Sequence, residues 1–401
     1  MPEVHLVDCT LREGDQAPGV AMTPDEKLSI AVLLDEAGVA LADAGMPELS
    51  ARERRFLAEA ADRCSRMVVG ASVRCRPEAM DLALQCGVGA VFVICPSSRL
   101  HLDKRLGTNL GGLLDRLSRC AERRGDASLE VVCEDATRAE PADLDRLVDH
   151  AARLGAARVY LADTVGCRSP GVFSAMVERA LAVADGRLSV GVHTHDDLGM
   201  ATANTVAAVE AGATWPTACV NGLGERAGNA DLAAVSVACE VALGRSTGID
   251  FARLPALSQA VEAASGHLVS GRAPIIGRQA FRHESGIHVD GLLKDPRTYE
   301  VVAPELVGRQ RELVLGGHSG RAHLRVLVQQ RHPAIWAMLQ DADPFLDRLR
   351  GAVQEHASRW ERDRIGELRA RQDALLDAQG VPLADFDRLV TALHADPETA
   401  R

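Results

Sequence analysis

The chain alternates short apolar runs with longer segments of helical period, and this alternation occurs eight times in about the first 245 residues. Short runs rich in β-branched residues, separated by helices, predict βα units with a parallel sheet. Helices predicted to follow the strands include residues 24–37 and 141–154. The predicted strands are residues 4–11, 40–46, 67–73, 90–95, 129–133, 158–162, 188–193 and 217–223.

Eight βα units in a segment of this length predict a closed (β/α)8 barrel, which usually takes about 250 residues. An open doubly wound sheet is disfavoured because no glycine-rich dinucleotide fingerprint follows the first strand. The alternation stops after residue 254. We therefore expect a TIM-barrel catalytic domain at residues 1–254, a subdomain covering the active site at 255–330, and a helical subdomain with a polar tail at 331–401.

Composition narrows the class of partner. A formal net charge of −11 argues against a nucleic-acid surface and favours a small-molecule substrate. No run approaches the roughly 18 apolar residues of a membrane span, and no signal peptide is recognisable, so we expect a cytoplasmic location without membrane contact. The ten cysteines are scattered singly, which predicts free thiols that pack as small core residues.

Polar residues follow most of the predicted strands. These segments read "TLREGDQ", "DAGMPE", "SVRCR", "ICPSS", "CEDATR", "ADTVG", "HTHDD" and "NGLGERAGN". In a (β/α)8 barrel the active site lies at the carboxyl ends of the strands. The sequence therefore predicts an enzyme whose site is built from these eight segments.

The segment "HTHDD" contains the strongest indication of a metal site. Side chains two apart on a strand point to the same face, so His193 and His195 can bind one cation. Barrel closure brings the first strand near the seventh and eighth, and both Asp8 and Glu13 are candidates for a carboxylate ligand. Such a mixed nitrogen and oxygen set suits zinc, manganese, iron or cobalt.

Six motifs together resemble one known family. In order they are "DCTLREGDQAPG", "EDATR", "ADTVG", "HTHDDLGMATAN", "NGLGERAGN" and "FRHESGIHVDG", between about residues 4 and 330. This series resembles the acyl-CoA condensing branch of the DRE-TIM metallolyase superfamily, which comprises homocitrate, 2-isopropylmalate and citramalate synthases. The motif "GERAGN" resembles the synthases more than the cleaving members of the superfamily, such as hydroxymethylglutaryl-CoA lyase.

The resemblance implies a divalent metal ion (Mn, Mg, Zn or Co) as cofactor and acetyl-CoA as co-substrate. Transferred onto this sequence, it makes Glu13, His193 and His195 metal ligands, with Asn229 as a possible fourth. Asp8 then becomes a structural anchor. Arg12, beside the metal carboxylate, is left to contact the oxo acid and to stabilise the oxygen charge that develops during attack.

The resemblance assigns acid–base work to Glu134 and His288. Without the resemblance, the preferred interpretation is a helix cap or ion-pair carboxylate for Glu134 and a surface imidazole for His288. Family members often carry a tyrosine shortly after a "VGR"-like turn, where this chain has Arg311. Tyr299 is nearby in sequence, so both residues are candidates for this third catalytic helper.

Substrate recognition is expected from residues near the strand ends. The resemblance implies Gln16 as a substrate contact and Thr164 as a contact to the oxo-acid carboxylate. Donor or cationic side chains that could hold a second acidic group are Arg76, His101 and Arg138, and each is equally a solvated loop residue.

The expected activity is a homocitrate synthase-like condensation of acetyl-CoA with 2-oxoglutarate, because the chain has the length of the short homocitrate synthases. Asp43 stands where the family more often has glutamate, and Gly317 where lysine is common. These departures suit an analogue such as phosphonopyruvate, the acceptor of phosphonomethylmalate synthase. Further alternatives are 2-isopropylmalate or citramalate synthase and, in another class, a metal-dependent carbon–carbon lyase or aldolase. The resemblance also implies a homodimer, with His288 acting in its own chain or across the interface.

Overall fold

The computed structural model describes residues 3–358, 364–377, 385–388 and 390. The chain divides into two compact units. The first comprises Met1–Val269 and Pro274–Ile276, and the second comprises Ser270–Ala273 and Gly277–Arg401. Residues 391–401, at the end of the segment for which a polar tail is expected, lie outside the described residues.

The first unit is a closed barrel of eight parallel strands. Each strand pairs with the next one along the chain, and the first pairs with the eighth through Val7 opposite Thr217 and Asp8 opposite Ala218. The predicted (β/α)8 barrel is therefore confirmed. The strands are β1 (Val7–Asp8), β2 (Leu41–Asp43), β3 (Val68–Arg74), β4 (Ala90–Pro96), β5 (Ser128–Glu134), β6 (Arg158–Asp163), β7 (Ser189–Thr194) and β8 (Trp215–Ala218).

Ten helices accompany these strands in the described part of the first unit. A capping box at Thr23 and Glu26 starts the first helix, and Gly38, at φ 88°, ends it in the left-handed region. The helices are α1 (Pro24–Ala37), α2 (Ala51–Arg63), α3 (Pro77–Leu84), α4 (Arg99–Lys104), α5 (Leu110–Glu122), α6 (Pro141–Arg153), α7 (Pro170–Ala184), α8 (Ala201–Glu210), α9 (Leu232–Leu243) and α10 (Leu254–Ser265).

Large apolar side chains fill the barrel interior. A cluster of buried residues from four strands packs together, with Val132 and Trp215 against it: Val7, Leu41, Ala90, Phe92 and Tyr160. The rings of Phe92 and Tyr160 lie 5.5 Å apart. Alternate side chains of a strand point to the same face. Polar side chains on this face, nearer the carboxyl ends of the strands, reach the opening of the barrel at that end, here called the mouth.

The first and last strands differ from the sequence prediction. Strand β1 is only two residues long, because the chain turns at Cys9, whose carbonyl accepts the amides of Arg12, Glu13 and Gly14. Strand β8 begins earlier than predicted, and residues 220–222 form a short 3₁₀ helix instead of a strand end. The residues that flank these two strands are apolar because they are buried outside the sheet, and their apolar character led to longer predicted strands.

The second unit is mainly helical in its described part. Two short parallel strands, β9 (Arg282–His283) and β10 (Glu312–Leu313), form a small sheet. The helices are α11 (Gly286–Lys294), α12 (Arg321–Arg331), α13 (Pro333–Met338), α14 (Ala342–Ser358) and α15 (Arg364–Asp377). Among the described residues, none of the helices in either unit has the length and hydropathy that a membrane crossing requires.

Candidate active site

The turn after β1 brings two charged side chains to the barrel mouth. Thr10 fixes the start of this turn: its amide and its hydroxyl both donate to the Asp8 carboxylate, at 2.9 and 2.7 Å, and its hydroxyl accepts the amide of Val220. Burial raises the pKa of Asp8 to about 7, against the opposing effect of these hydrogen bonds. Asp8 thus ties β1 to the segment after β8, and Glu13 is the carboxylate that reaches the site.

Glu13, His193 and His195 converge at the mouth and are 5, 6 and 5% exposed. The Nε2 atoms of the two imidazoles lie 3.2 Å apart. Glu13 Oε1 is 3.7 Å from His195 Nε2, and Glu13 Oε2 is 4.0 Å from His193 Nε2. Among the described residues this is the one cluster of three histidine, cysteine or acidic side chains with ligand atoms close enough for a metal ion.

The protonation states of these residues suit ligation. Burial, followed by the neighbouring His195, lowers the pKa of His193 to about 3, and burial also lowers the pKa of His195. Burial alone would raise the pKa of Glu13, but Arg12 and the imidazoles outweigh it and hold the pKa below its usual value. Two neutral imidazoles and a carboxylate are therefore available at neutral pH.

Asn229 lies beside the two imidazoles. Its Nδ2 is 3.4 Å from His193 Nε2 and donates to the Thr194 carbonyl at 3.1 Å. Its Oδ1 and the Nδ1 of His195 are buried and have no hydrogen-bond partner within the part of the chain that the structure describes. An unpartnered amide oxygen next to two imidazoles and a carboxylate fits a divalent ion with mixed nitrogen and oxygen ligands.

Arg12 is held between two carboxylates. Its Nε donates to Asp43 Oδ2 at 2.7 Å, and its Nη1 is paired with Glu13. Ser72 donates to the same Asp43 oxygen at 2.8 Å. Burial raises the pKa of Asp43 despite Arg12. These contacts fix a permanent positive charge beside the cluster of potential metal ligands. Gln16, on the same loop, lies at the mouth with its Nε2 3.6 Å from the sulfur of Met46.

Glu134, at the end of β5, is engaged in an ion pair. Both its oxygens accept from the guanidinium of Arg105, with Nη1 to Oε1 at 2.6 Å. His101 Nδ1 lies 3.8 Å from Glu134 Oε1, and His101 Nε2 lies 3.8 Å from Asp135 Oδ2. The structure thus brings together the predicted residues Glu134 and His101, with Arg105 as an additional partner.

The remaining substrate-contact candidates are paired with nearby groups. Arg138 Nε donates to Asp135 at 2.7 Å, and the Thr164 hydroxyl accepts the Asp135 amide at 2.8 Å. Arg76, at the loop after β3, pairs with Glu48. Arg138, Thr164 and His101 therefore all lie next to Asp135. The partner of Arg76, Glu48, lies on another loop.

In the second unit, His288 on α11 stacks on Tyr299, with ring centroids 4.1 Å apart and planes at 22°. Arg311 is bound elsewhere: its Nε donates to Glu300 Oε1 at 2.6 Å and its Nη2 to Oε2 at 2.5 Å. His283 Nε2 lies 3.6 Å from the same carboxylate. Of the two candidates for the third helper, Tyr299 is thus the one in contact with His288.

Two arginines at the mouth were not singled out from the sequence. Arg105 follows α4, and Arg226, in the motif "GERAGN", donates to both oxygens of Asp197 at 2.7 and 2.8 Å and to the Thr164 carbonyl at 2.7 Å. Arg226 thereby links the loops after β6, β7 and β8. Its place inside a quoted motif was a signal that could have identified it, whereas the pairing of Arg105 depends on a contact 29 residues away.

Comparison with known proteins identifies the class. An HMGL-like family model matches residues 3–261, and the model described as "Homocitrate synthase post-HMGL domain-like" matches residues 275–335. The chain belongs to the HMGL-like family and, within it, to the acyl-CoA condensing branch of the DRE-TIM metallolyases. It is therefore an enzyme of the type that condenses acetyl-CoA with a 2-oxo acid.

Similar proteins are named after different products. The chain is 42% identical to homocitrate synthase AksA of Methanopyrus kandleri, covering 80% of each chain. It is 37% identical to a homocitrate synthase of Frankia sp., covering 92% of each. It is 39% identical to (R)-citramalate synthase CimA of Methanocaldococcus jannaschii, over 80% of this chain and 66% of the relative. It thus spans less than two thirds of that longer protein.

Solved structures agree with the barrel architecture. Hydroxymethylglutaryl-CoA lyase from Pseudomonas aeruginosa superposes with a TM-score of 0.60 at 22% identity, over 68% of this chain and 96% of that one. At this identity the likeness concerns the fold alone.

Proposed function

We propose that this enzyme condenses acetyl-CoA with 2-oxoglutarate and releases CoA, as a homocitrate synthase does. The observation that carries the proposal is the convergence of Glu13, His193 and His195 at the barrel mouth, with Arg12 fixed against the same carboxylate. Together with membership of the condensing family, this supplies a place where an oxo acid is held and its ketone oxygen is stabilised.

The residues that would hold the metal are Glu13, His193 and His195, with Asn229 as a fourth ligand. A bound divalent ion, Mn, Mg, Zn or Co, would supply Lewis-acid polarisation of the ketone. Asp43 fixes the guanidinium of Arg12, and Arg12 stabilises the negative charge that forms on the ketone oxygen during attack.

The proton transfers fall to Glu134 and His288. The acetyl methyl group loses a proton to one of these bases, and the electrons of the broken C–H bond form the new C–C bond to the ketone carbon. The ketone oxygen takes up a proton and becomes a tertiary alcohol. Water then hydrolyses the thioester, and CoA leaves as the thiol. We assign the orientation of this imidazole to Tyr299, which stacks on it, and the pair of Arg311 with Glu300 argues against Arg311 in this role.

The choice of 2-oxoglutarate is supported by two observations. Cationic and donor side chains surround the mouth, with Arg105, Arg138 and His101 near Glu134. Homocitrate synthases are among the relatives, and one of them covers 92% of this chain. Gln16 and Thr164 complete the proposed contacts to the oxo acid, and Arg76 is a further candidate for the distal carboxylate.

Citramalate synthesis from pyruvate is the second candidate. It is favoured by relatives of that name at 39% identity. It is also favoured because Arg76 and Arg138 are already paired with carboxylates of the protein. Pyruvate has no distal acidic group and would need neither residue.

We further propose that the protein is a homodimer in solution. Each His288 then acts either in the active site of its own chain or in that of the partner chain. Analytical ultracentrifugation tests the dimer. Mixing inactive Arg12→Ala chains with inactive His288→Ala chains tests the route: recovered turnover in the mixed dimer indicates action across the interface, and no recovery indicates action within one chain.

The deciding experiment measures thiol release from acetyl-CoA, with Mn²⁺ or Mg²⁺, against pyruvate, oxaloacetate, 2-oxoisovalerate, 2-oxoglutarate and phosphonopyruvate. The proposal expects the highest kcat/KM with 2-oxoglutarate. A dominant response to pyruvate would support the second candidate. No response to any acid, by a folded and metal-loaded sample, would contradict the condensing reaction and favour a lyase.

A further inference from the structure

Glu134, the carboxylate to which proton transfer is assigned, is paired with an arginine. Arg105 donates to both oxygens of Glu134, with Nη1 to Oε1 at 2.6 Å. A carboxylate whose two oxygens accept from one guanidinium is held in a bidentate pair, the strongest geometry for this kind of contact. A proton added to either oxygen weakens the hydrogen bond that this oxygen accepts from the guanidinium. Proton uptake by Glu134 therefore competes with its pair to Arg105.

Arg105 is placed to leave this pair. It follows the six-residue helix α4 and its side chain is 50% exposed, whereas that of Glu134 is 15% exposed. Glu134 is its one ion-pair partner among the residues that the structure describes. The guanidinium can therefore leave Glu134 without breaking other contacts to carboxylates, and it is then available to pair with another anion.

The neighbouring cations do not have this freedom. Arg138 pairs with the fully buried Asp135. Arg226 is bound to Asp197 and to a backbone carbonyl. His101 lies between Glu134 and Asp135 and remains next to both when Arg105 moves. Of the charged groups around Glu134, Arg105 alone combines half exposure with a pair to a proposed catalytic residue.

We propose that Arg105 binds an anionic group of an incoming substrate, and that this exchange of partners releases Glu134 for proton transfer. The ligand chemistry is a carboxylate or phosphate oxygen. It comes either from the distal carboxylate of a 2-oxo diacid or from the 3′-phosphate of the acyl-CoA. The inference rests on the proposed function, because it uses the acid–base role of Glu134, and it adds a binding residue and a coupling between substrate arrival and that role.

The test compares Arg105→Gln and Arg105→Lys with Arg99→Gln. Arg99 begins the helix α4 that Arg105 follows, is 73% exposed and pairs with Asp143, so its loss controls for a general change of surface charge. Two matched substrate pairs identify the source of the anion. One is acetyl-CoA against acetyl-dephospho-CoA, and the other is 2-oxoglutarate against 2-oxopentanoate, which lacks the distal carboxylate.

We expect Arg105→Gln to raise the KM for one charged substrate by about tenfold or more, as the loss of a charged hydrogen bond does. The same variant should lose the preference for that substrate over the matched compound that lacks the anionic group. Arg105→Lys should recover part of this preference, and Arg99→Gln should match the unmodified enzyme. A loss confined to the CoA pair assigns the phosphate as ligand, and a loss confined to the acid pair assigns the carboxylate.

Unchanged preferences in Arg105→Gln would overturn the inference, as would equal effects in Arg99→Gln. If the unmodified enzyme releases no thiol with any acid, the proposed function fails, but the role of Arg105 is still tested. Calorimetric titration of the Mn²⁺-loaded protein with CoA and with 2-oxoglutarate then measures affinity directly. Affinities that are the same with and without Arg105, or no binding of either compound, would contradict the anion-binding role.

Discussion

Replacing Arg12 by alanine is the most informative single change at the site. The guanidinium contacts Glu13 and Asp43, and the three side chains are 11, 6 and 1% exposed. Removing one partner of a buried ion pair costs about 3–5 kcal/mol, because the remaining charge stays buried. Ser72 still donates to Asp43, so we expect a loss near the lower end of this range for the metal-free protein.

The same substitution separates stability from catalysis. Divalent metal neutralises Glu13 but not Asp43, so Mn²⁺ should recover only part of the lost stability. Metal binding through Glu13, His193 and His195 should persist, whereas turnover should fall by about 10²–10³ through loss of the donor that stabilises the developing oxygen charge. Arg12→Lys should give intermediate values, since an ammonium group lacks the planar fork.

Urea unfolding in EDTA and in Mn²⁺ measures the stability, and thiol release measures the turnover. Asp43→Asn and the double variant complete a double-mutant cycle. The free-energy losses of the two single variants should not add, because each removes the same contact. The assigned roles would be refuted if the free energy of unfolding of Arg12→Ala lay within about 1 kcal/mol of that of the unmodified protein. They would also be refuted if this variant kept more than about a tenth of the turnover.

Three further predictions concern buried charge and metal. Lys27→Met should lower the free energy of unfolding by about 3 kcal/mol, because Lys27 is 3% exposed and pairs with Asp15 and Glu53, while exposed Lys104→Met should change it by less than about 0.5 kcal/mol, both by urea unfolding. Asp8 keeps a proton in the folded state up to pH about 7 but releases it near 3.8 when unfolded, so this group makes stability fall as pH rises between these values. Relative to the unmodified protein, the free energy of unfolding of Asp8→Asn should therefore increase by up to about 4 kcal/mol across this window. A difference between the two proteins that does not change with pH would contradict the raised pKa. Mn²⁺ at 100 times its Kd should stabilise the unmodified protein by about 2.7 kcal/mol, measured as a shift in thermal unfolding, and a similar shift in His195→Ala would count against the proposed ligands.

The barrel was predictable because its signal is local and repeated. Each strand lies in a short apolar run followed by a helical segment, and strands such as β4 and β6 begin at the residues predicted. The ends of β1 and β8 were not predictable in the same way. Val4 and Leu6 are fully buried without belonging to the sheet, so their apolar character indicated burial and not pairing.

The potential metal ligands could be found from the sequence, because His193 and His195 lie two residues apart at the end of β7 and barrel closure brings the first strand beside them. The contacts of Glu134 could not. Its partner Arg105 lies 29 residues earlier, on a different βα unit. The choice between Tyr299 and Arg311 likewise depends on a ring stack and an ion pair that no local spacing encodes.

The most direct test of the central claim follows the acetyl carbon. Acetyl-CoA labelled with ¹³C at the methyl carbon is incubated with the Mn²⁺-loaded enzyme and 2-oxoglutarate, and the product is analysed by NMR and mass spectrometry. The account predicts a labelled methylene carbon bonded to a tertiary alcohol carbon, with one CoA released per product. Labelled acetate as the sole product would mean simple thioester hydrolysis and would contradict it.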